Sequence, residues 1–156
     1  MNKKKTYILW SLVLLCEAII FFFSANTGAF SSSQSGFVTR VVRDVASVFV
    51  DTGSFDKIAM ESLIRHIAHF TEYTVLGVLV FHALKNTRHI ELRNIAVFYF
   101  PFCALSAVAD ELHQYFVPGR ACEVSDFLID ALGFSLAFAV LFTCYFIKES
   151  RHKNHV

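Results

Sequence analysis

The hydrophobic residues of this chain are gathered into four long runs that polar segments separate. The runs cover approximately residues 7–23, 67–84, 95–117 and 127–147. An α-helix needs about 20 mostly apolar residues to cross the hydrocarbon core of a membrane, with a range of roughly 17 to 25. The pattern therefore predicts an all-α integral membrane bundle of four transmembrane helices, in one domain that covers residues 1–156.

The second and third runs each carry polar residues at one end. The second, IAHFTEYTVLGVLVFHAL, is polar at its start, and the third, IAVFYFPFCALSAVADELHQYFV, is purely apolar only up to Ala109. The apolar part of the third run is about 15 residues, which is too short to span unless its polar end also enters the membrane. Pro101 predicts a kink in this helix, which a bundle tolerates.

The composition supports a membrane protein and narrows the chemistry. The chain is 55% hydrophobic and 17% charged, whereas soluble domains are about 25% charged. A net charge of +1 gives no reason to expect nucleic acid as a partner. The four cysteines are widely spaced and form no CxxC pair or Cys/His zinc pattern, so neither a disulfide framework nor a thiolate metal site is predicted.

The first run has some features of a signal peptide, because it follows the basic sequence MNKKK. However, it carries Glu17, and no convincing cleavage site follows it. It is interpreted as an uncleaved membrane helix.

The basic residues predict the orientation of the bundle. With four spans, both termini and the 85–94 loop lie on one side of the membrane. That side carries nine of the 14 basic residues, namely Lys3, Lys4, Lys5, Lys85, Arg88, Arg93, Lys148, Arg151 and Lys153. Because cytoplasmic loops are enriched in Lys and Arg, both termini are predicted to be cytoplasmic. The 24–65 segment and the 118–126 loop then lie outside.

The outer segment 24–65 has two parts. NTGAFSSSQSG is small and polar, and FVTRVVRDVASVFV has apolar residues at helical spacing. This periodicity predicts an amphipathic helix on the outer surface. It either packs as a cap over the bundle or senses the membrane. A further helix from about residue 55 is predicted to lead into the second span.

A dense polar stretch, ADELHQYFVPGRACEVSDFLID, follows the apolar part of the third run. At about 100° per residue, Asp110 and Gln114 lie about 40° apart on one helix face, with Glu111 about 100° from Asp110. The VPGR turn is a rigid support for Arg120.

The start of the second run presents a polar face at the same depth of the membrane. In RHIAHFTEY, the residues Arg65, His69, Glu72 and Tyr73 fall on one side of a helix. Ionisable residues inside a membrane are costly and are a functional-site hypothesis by default. A polar network that only fixes helix packing is the alternative.

The residue types suggest acid–base chemistry. Adjacent carboxylates in a partly dry cleft cannot both ionise cheaply, so Asp110 and Glu111 can supply a general acid. His69 with Glu72 can form an oriented base, or part of a metal site with a carboxylate from the third run, although no HExxH spacing is present. Arg120 can bind a phosphate or carboxylate bidentately. The pattern leaves the membership of four further residues undecided: Glu17, His66, His113 and Glu123.

Several of these motifs resemble the VanZ-like membrane proteins, a family named after a protein linked to low-level teicoplanin resistance. The matching pieces are SSSQSG, IRHIAHFTEYTVLG, ADELHQYFVPGR and VSDFLIDALG. They cover about residues 30 to 135 in the family's order. The chain departs from the family pattern at His66, where lysine is usual, and at the sequence ACE after Arg120.

The resemblance implies a multi-pass bacterial plasma-membrane protein. By motif position it assigns importance to ten residues, namely Arg65, His69, Glu72, Tyr73, Asp110, Glu111, Gln114, Arg120, Asp126 and Asp130. We assign acid–base roles to Asp110, Glu111, His69 and Glu72. Substrate-binding roles go to Arg120, Gln114, Arg65, Tyr73, Asp126 and Asp130. No residue is assigned as a metal ligand, and the sequence identifies no cofactor.

The sequence thus predicts a polar site at the outer leaflet that acts on or binds an anionic lipid-linked or cell-envelope molecule. The resemblance extends this expectation to teicoplanin resistance. The alternative is a non-enzymatic protein that binds or shields envelope lipids or antibiotic targets. A transporter is less favoured, because there are four spans without inverted repeats and the charges collect at one leaflet.

Overall fold

Four α-helices form the part of the chain that the computed structural model describes, which is residues 3–25, 57–87, 90–120 and 122–153. The helices are α1 (Lys3–Ser24), α2 (Lys57–Lys85), α3 (Ile95–Tyr115) and α4 (Val124–Lys153). Each contains a stretch long and apolar enough to cross a membrane. The prediction of an all-α bundle with four membrane helices is confirmed.

The predicted outer segment is described only near its ends. Helix α2 begins at Lys57 and continues without a break into the second span, as the expected helix from about residue 55 required. The amphipathic pattern FVTRVVRDVASVFV, residues 37–50, lies outside the described residues.

Helix α3 includes the polar motif. The helix continues through Pro101 and ends at Tyr115. Its 21 residues rise roughly 32 Å, which matches a hydrocarbon core of about 30 Å. A helix satisfies its own backbone hydrogen bonds, so the chain can carry Asp110 and Gln114 into the membrane without exposing polar backbone.

Helices that follow one another along the chain run in opposite directions. The Thr6 hydroxyl at the start of α1 donates to the carbonyl of Asn86, just after α2, at 2.7 Å. The Gln114 amide near the end of α3 donates to the hydroxyl of Ser24, the last residue of α1, at 3.3 Å. One end of the bundle therefore gathers the end of α1, the start of α2, the end of α3 and the start of α4.

Helices α2 and α4 form the most extensive contact in the bundle, and two glycines allow it. A Cβ atom added to Gly133 would lie 2.6 Å from the carbonyl oxygen of Phe70 and 3.1 Å from the backbone nitrogen of Thr74. A Cβ on Gly77 would lie 3.1 Å from the Cα of Phe134. Small residues let membrane helices approach closely, which is how these helices gain their packing energy.

The half of the bundle away from the polar end is held by aromatic packing. The ring of Tyr99 lies 5.0 Å from that of Phe138, and Phe81 lies 5.9 Å from Phe138. The Tyr99 hydroxyl donates to the carbonyl of Phe134 at 2.6 Å. Buried tyrosine hydroxyls need such a partner. Among the residues that the structure describes, no charged side chain is fully buried in this half of the bundle.

The outer faces of the helices are apolar. Leu14 on α1, Val75 on α2, Leu105 on α3 and Leu132 on α4 all have exposed side chains. Such a continuous apolar surface is unfavourable in water. In a bilayer it faces hydrocarbon.

Candidate functional site

The buried polar side chains collect at one end of the bundle. Helices α1, α2, α3 and α4 all contribute to this group, which we call the polar cluster. Its fully or almost fully buried members are Ser24, His69, Asp110, Glu111, Gln114, Asp126 and Asp130. All but Ser24 are residues that the sequence singled out.

Gln114 is the hub of one half of the polar cluster. Its Nε2 donates to Asp110 Oδ2 at 2.9 Å and to the Ser24 hydroxyl at 3.3 Å. Its Oε1 accepts from Arg120 Nη1 at 3.0 Å. Asp110 and Gln114, which the sequence predicts on one helix face, are therefore joined by a direct hydrogen bond. Gln114 in turn holds the Arg120 guanidinium.

The turn before Arg120 positions this side chain. Gly119 has φ of 77°, a conformation that favours glycine, and the Arg120 N–H donates to the carbonyl of Val117 at 3.1 Å. Burial is the larger cause that lowers the pKa of Arg120, and the positive charge of the nearby Arg65 lowers it further. Arginine nevertheless remains charged, because its ordinary pKa is above 12 or so.

The two adjacent carboxylates of α3 point to different partners. Asp110 bonds within its own helix, whereas Glu111 Oε2 accepts from the backbone N–H of Glu123 at 3.0 Å. Glu123 directly precedes α4, so this bond joins the end of α3 to the start of α4. The angle of about 100° between successive helical residues explains the divergence.

His69 is paired with α4. A hydrogen bond of 3.1 Å joins its Nδ1 to Asp130 Oδ1, and both side chains are buried. The sequence had grouped His69 with Glu72 as an oriented base. Glu72 is half-buried one turn later on α2 and interacts electrostatically with His69 and Asp110. The direct partner of His69 is Asp130, to which the sequence had given a substrate-binding role.

Arg65 and His66 lie at the rim of the polar cluster and face α4. Arg65 Nη2 is 3.4 Å from Glu123 Oε2, and its Nε is 3.9 Å from Asp126 Oδ2. His66 Nε2 lies 3.2 Å from Asp126 Oδ1. His66, which stands where the resemblance expects lysine, thus serves as a partner of a buried carboxylate.

The remaining candidates lie at the borders of the polar cluster. Tyr73 is fully buried, and its hydroxyl has no hydrogen-bond partner among the residues that the structure describes. Glu17 accepts a hydrogen bond from the Ser106 hydroxyl, between α1 and α3. His113 is half-buried, with its ring 5.4 Å from that of Phe21.

Sequence reasoning did not single out Ser24 and Ser106. Both are small hydroxyl residues inside apolar helices, where serine commonly bonds its own backbone. The partners of these two hydroxyls lie on other helices, and the periodicity of a sequence does not show which helix lies opposite. The sequence pattern does not decide the role of Glu123. The structure joins its side chain to Arg65 and its backbone to Glu111.

Three residues of the polar cluster have the side chains and proximity to hold a metal ion. His69, Glu111 and Asp130 can each offer one ligand atom, and these atoms lie within 4.8 Å of one another. One comes from each of α2, α3 and α4. From the sequence, a metal site of His69, Glu72 and a carboxylate of the third run is one possibility, but no ligand is assigned because no zinc-specific spacing is present. The structure groups His69 with Glu111 of that run and with Asp130, and Glu72 is not in this group.

Comparison with family models places the chain among known membrane proteins. The family model described as VanZ/LLP1 matches residues 8–147. No curated protein and no solved structure matches the chain. The matched range includes the whole polar cluster and all or most of each of the four apolar stretches that can cross a membrane. The resemblance found in the sequence is confirmed: this multi-pass membrane protein belongs to the VanZ/LLP1 family.

Proposed function

We propose that the polar cluster is a membrane-embedded site that binds, and acts on, the anionic group of a lipid-linked or cell-envelope molecule. The observation that carries the proposal is the concentration of four buried carboxylates, a buried histidine and two half-buried arginines at one end of the bundle. Among the described residues, the opposite half of the same bundle has no fully buried charged side chain and packs mainly through aromatic rings. Helices of this bundle can therefore pack without buried charge.

The cost of burying these groups supports a functional role. An ionised side chain costs about 2.5–3.5 kcal/mol at the centre of a membrane helix on insertion scales, and less toward the helix ends, where the polar cluster lies. Hydrogen bonds such as that of Asp110 to Gln114, at 2.9 Å, offset part of this cost. Apolar residues at the same positions would carry no such cost, so a cluster of this size is better explained by chemistry than by packing.

The residues divide by the chemistry they can supply. Arg65 and Arg120 flank the polar cluster, and a guanidinium recognises phosphate and carboxylate groups bidentately. Glu111 and the His69–Asp130 pair lie deeper and can hold or transfer a proton, as a general acid or base does. A hydrolase or transferase acting on an envelope lipid would use both sets.

The same proposal includes an orientation. The basic residues favour cytoplasmic termini in a bacterial plasma membrane, with the polar cluster and the loop before α4 on the outer side. A site there would meet lipid-linked envelope molecules, and it would also meet a lipoglycopeptide that inserts its acyl chain into the membrane surface.

Cys122 offers a test of this orientation. It is exposed, in the loop before α4, whereas Cys103 is buried and Cys144 lies on α4 nearer its opposite end. Desolvation and the adjacent Glu111 carboxylate raise the pKa of the Cys122 thiol. Because the thiolate is the reactive form, labelling should be carried out at about pH 8 or above.

We expect a membrane-impermeant maleimide to label Cys122 in right-side-out vesicles, and to label it in inside-out vesicles only after detergent is added. The variant Cys122→Ser should lose this signal and thereby identify the labelled residue. Labelling of Cys122 in intact inside-out vesicles would place the loop, and the polar cluster with it, on the cytoplasmic side.

Glu111→Gln tests the function itself. Loss of a general acid or base lowers a rate by roughly 10²–10⁴-fold. In a strain without its own copy, we expect wild type to raise the teicoplanin concentration needed to stop growth, and Glu111→Gln to return it to the value of the empty strain. Membrane abundance is matched by quantitative blotting. Glu149→Gln, an exposed carboxylate near the far end of α4, is the charge-matched control and should protect like wild type.

The other outcomes separate the alternatives. Equal protection by wild type and Glu111→Gln would show that this carboxylate is dispensable and would favour a protein that only shields envelope lipids or antibiotic targets. If wild type itself gives no protection, the link to teicoplanin is wrong for this chain.

A further inference from the structure

We infer that His69, Glu111 and Asp130, hereafter the ligand trio, bind one divalent transition-metal ion, Zn²⁺ or Mn²⁺, inside the polar cluster. Each residue comes from a different helix, and the three potential ligand atoms lie within 4.8 Å of one another. His69 Nδ1 and Asp130 Oδ1 are 3.1 Å apart. Two ligands of a tetrahedral zinc ion, with bonds near 2.1 Å, are roughly 3.4 Å apart.

Burial and unpaired oxygens point to a ligand between these side chains. The exposed fractions of His69, Glu111 and Asp130 are 5%, 4% and 0%. Glu111 Oε1 and Asp130 Oδ2 have no hydrogen-bond partner among the described residues. A buried carboxylate oxygen without a partner is costly, because the protein replaces none of the water it has lost. A bound cation removes that cost.

The two neighbouring buried carboxylates, Asp110 and Asp126, each keep one oxygen, Oδ1, without a hydrogen-bond partner among the described residues, but each also has partners outside the ligand trio. Asp126 lies beside Arg65 and His66, and Asp110 accepts from the Gln114 amide. The hydrogen bonds that Glu111 and Asp130 show come from the backbone of Glu123 and from the ring of His69. The ligand trio is distinguished by its geometry, because its three potential ligand atoms, from three helices, lie within 4.8 Å of one another.

The donor set selects the class of metal. An imidazole nitrogen favours Zn²⁺ and other transition metals, whereas Mg²⁺ and Ca²⁺ prefer ligands made of oxygen alone. Three protein ligands leave a coordination position open, as in catalytic zinc sites. The Glu123 N–H on Glu111 Oε2 fixes the orientation of that carboxylate, which is the usual role of a residue behind a metal ligand.

A cation bound to the ligand trio would also allow the polar cluster, which is rich in carboxylates, to bind the anionic molecule proposed above. Four buried carboxylates repel an anion, but an ion held by the ligand trio offsets their charge and attracts the anion jointly with Arg120. This role of the metal rests on the proposed function. Binding of the metal does not, because it depends only on the three ligands.

The test measures metal binding directly. The full-length protein is purified in detergent, stripped with a chelator and dialysed against Zn²⁺ or Mn²⁺, and bound metal is counted by mass spectrometry. We expect one ion per wild-type chain, and an affinity lower by roughly tenfold or more in each of His69→Gln, Glu111→Gln and Asp130→Asn. Mg²⁺ and Ca²⁺ should not compete at equal concentration.

Glu123→Gln is the matched control. It removes the same charge at the same end of the bundle but leaves the ligand trio and the backbone N–H of residue 123 in place. It should bind metal with wild-type affinity. Equal weakening by Glu123→Gln would show general electrostatic attraction instead of a site, and would overturn the inference.

Wild type alone is also decisive, should the variants fold poorly. The absence of stoichiometric Zn²⁺ and Mn²⁺ from folded wild type overturns the inference and leaves the proposed function to its own test. Conversely, if metal binds while Glu111→Gln still protects cells, the metal site stands and the proposed function fails.

Discussion

Replacing Gly133 by alanine is expected to loosen the contact between α2 and α4 and to lower the free energy of unfolding by about 1–3 kcal/mol. The added Cβ would lie 2.6 Å from the carbonyl oxygen of Phe70 and 3.1 Å from the hydroxyl oxygen of Thr74. No rotamer change can relieve a clash between a Cβ and backbone. One helix must move, and the packing along the whole contact is weakened.

Thermal unfolding in detergent measures this effect, with fluorescence of Trp10 as a second probe. Trp10 is the single tryptophan of the chain, and its indole N–H donates to the Thr87 hydroxyl at 3.1 Å. The indole therefore reports whether α1 remains docked beside the end of α2. We expect Gly133→Ala to shift both signals to lower temperature.

Ala139→Leu is the control for Gly133→Ala. Ala139 is exposed on α4, where added carbon atoms face lipid or detergent. The Ala139→Leu variant should unfold at the wild-type temperature, even though this substitution adds more volume than Gly133→Ala does. Unchanged stability of Gly133→Ala would mean that α2 and α4 lie farther apart than the structure indicates.

Most of the fold follows from the sequence because the membrane simplifies the problem. A helix that crosses hydrocarbon must be apolar over about 20 residues, so hydropathy alone locates it. The same argument extended α3 into ADELHQY, since the apolar part was too short by itself. The helix does continue to Tyr115.

Part of the candidate site also follows from the sequence. Residues four apart lie on one helix face, which brought Asp110 and Gln114 together in the prediction and does so in the structure. Contacts between helices are different. The pairing of His69 with Asp130, across 61 positions, depends on the rotation of α2 against α4. That rotation is set by the close approach at Gly77 and Gly133, which hydropathy does not reveal.

Replacing His69 by leucine is expected to lower the free energy of unfolding by about 1–3 kcal/mol, as leaving a buried polar group without its hydrogen-bond partner generally does. The variant leaves Asp130 fully buried and deprives it of the hydrogen bond at 3.1 Å. The double variant His69→Leu/Asp130→Leu removes both members, and it should recover most of this loss. The measurement is thermal unfolding in detergent of four proteins: wild type, His69→Leu, Asp130→Leu and the double variant. Together they give the coupling energy between His69 and Asp130.

His113→Leu is the control for the change of residue type. His113 is half-buried on α3 and packs its ring on Phe21, where leucine can replace the apolar contact, so its cost should stay below about 1 kcal/mol. A similarly small cost for His69→Leu would show that Asp130 does not depend on His69.

The double variant also separates a site from a scaffold. If the polar cluster exists only to fix helix packing, His69→Leu/Asp130→Leu should fold and still protect cells from teicoplanin as wild type does. If the polar cluster is the functional site, the double variant should be stable and inactive. A double variant that is stable but inactive cannot be explained by a packing role, because its helix packing is intact.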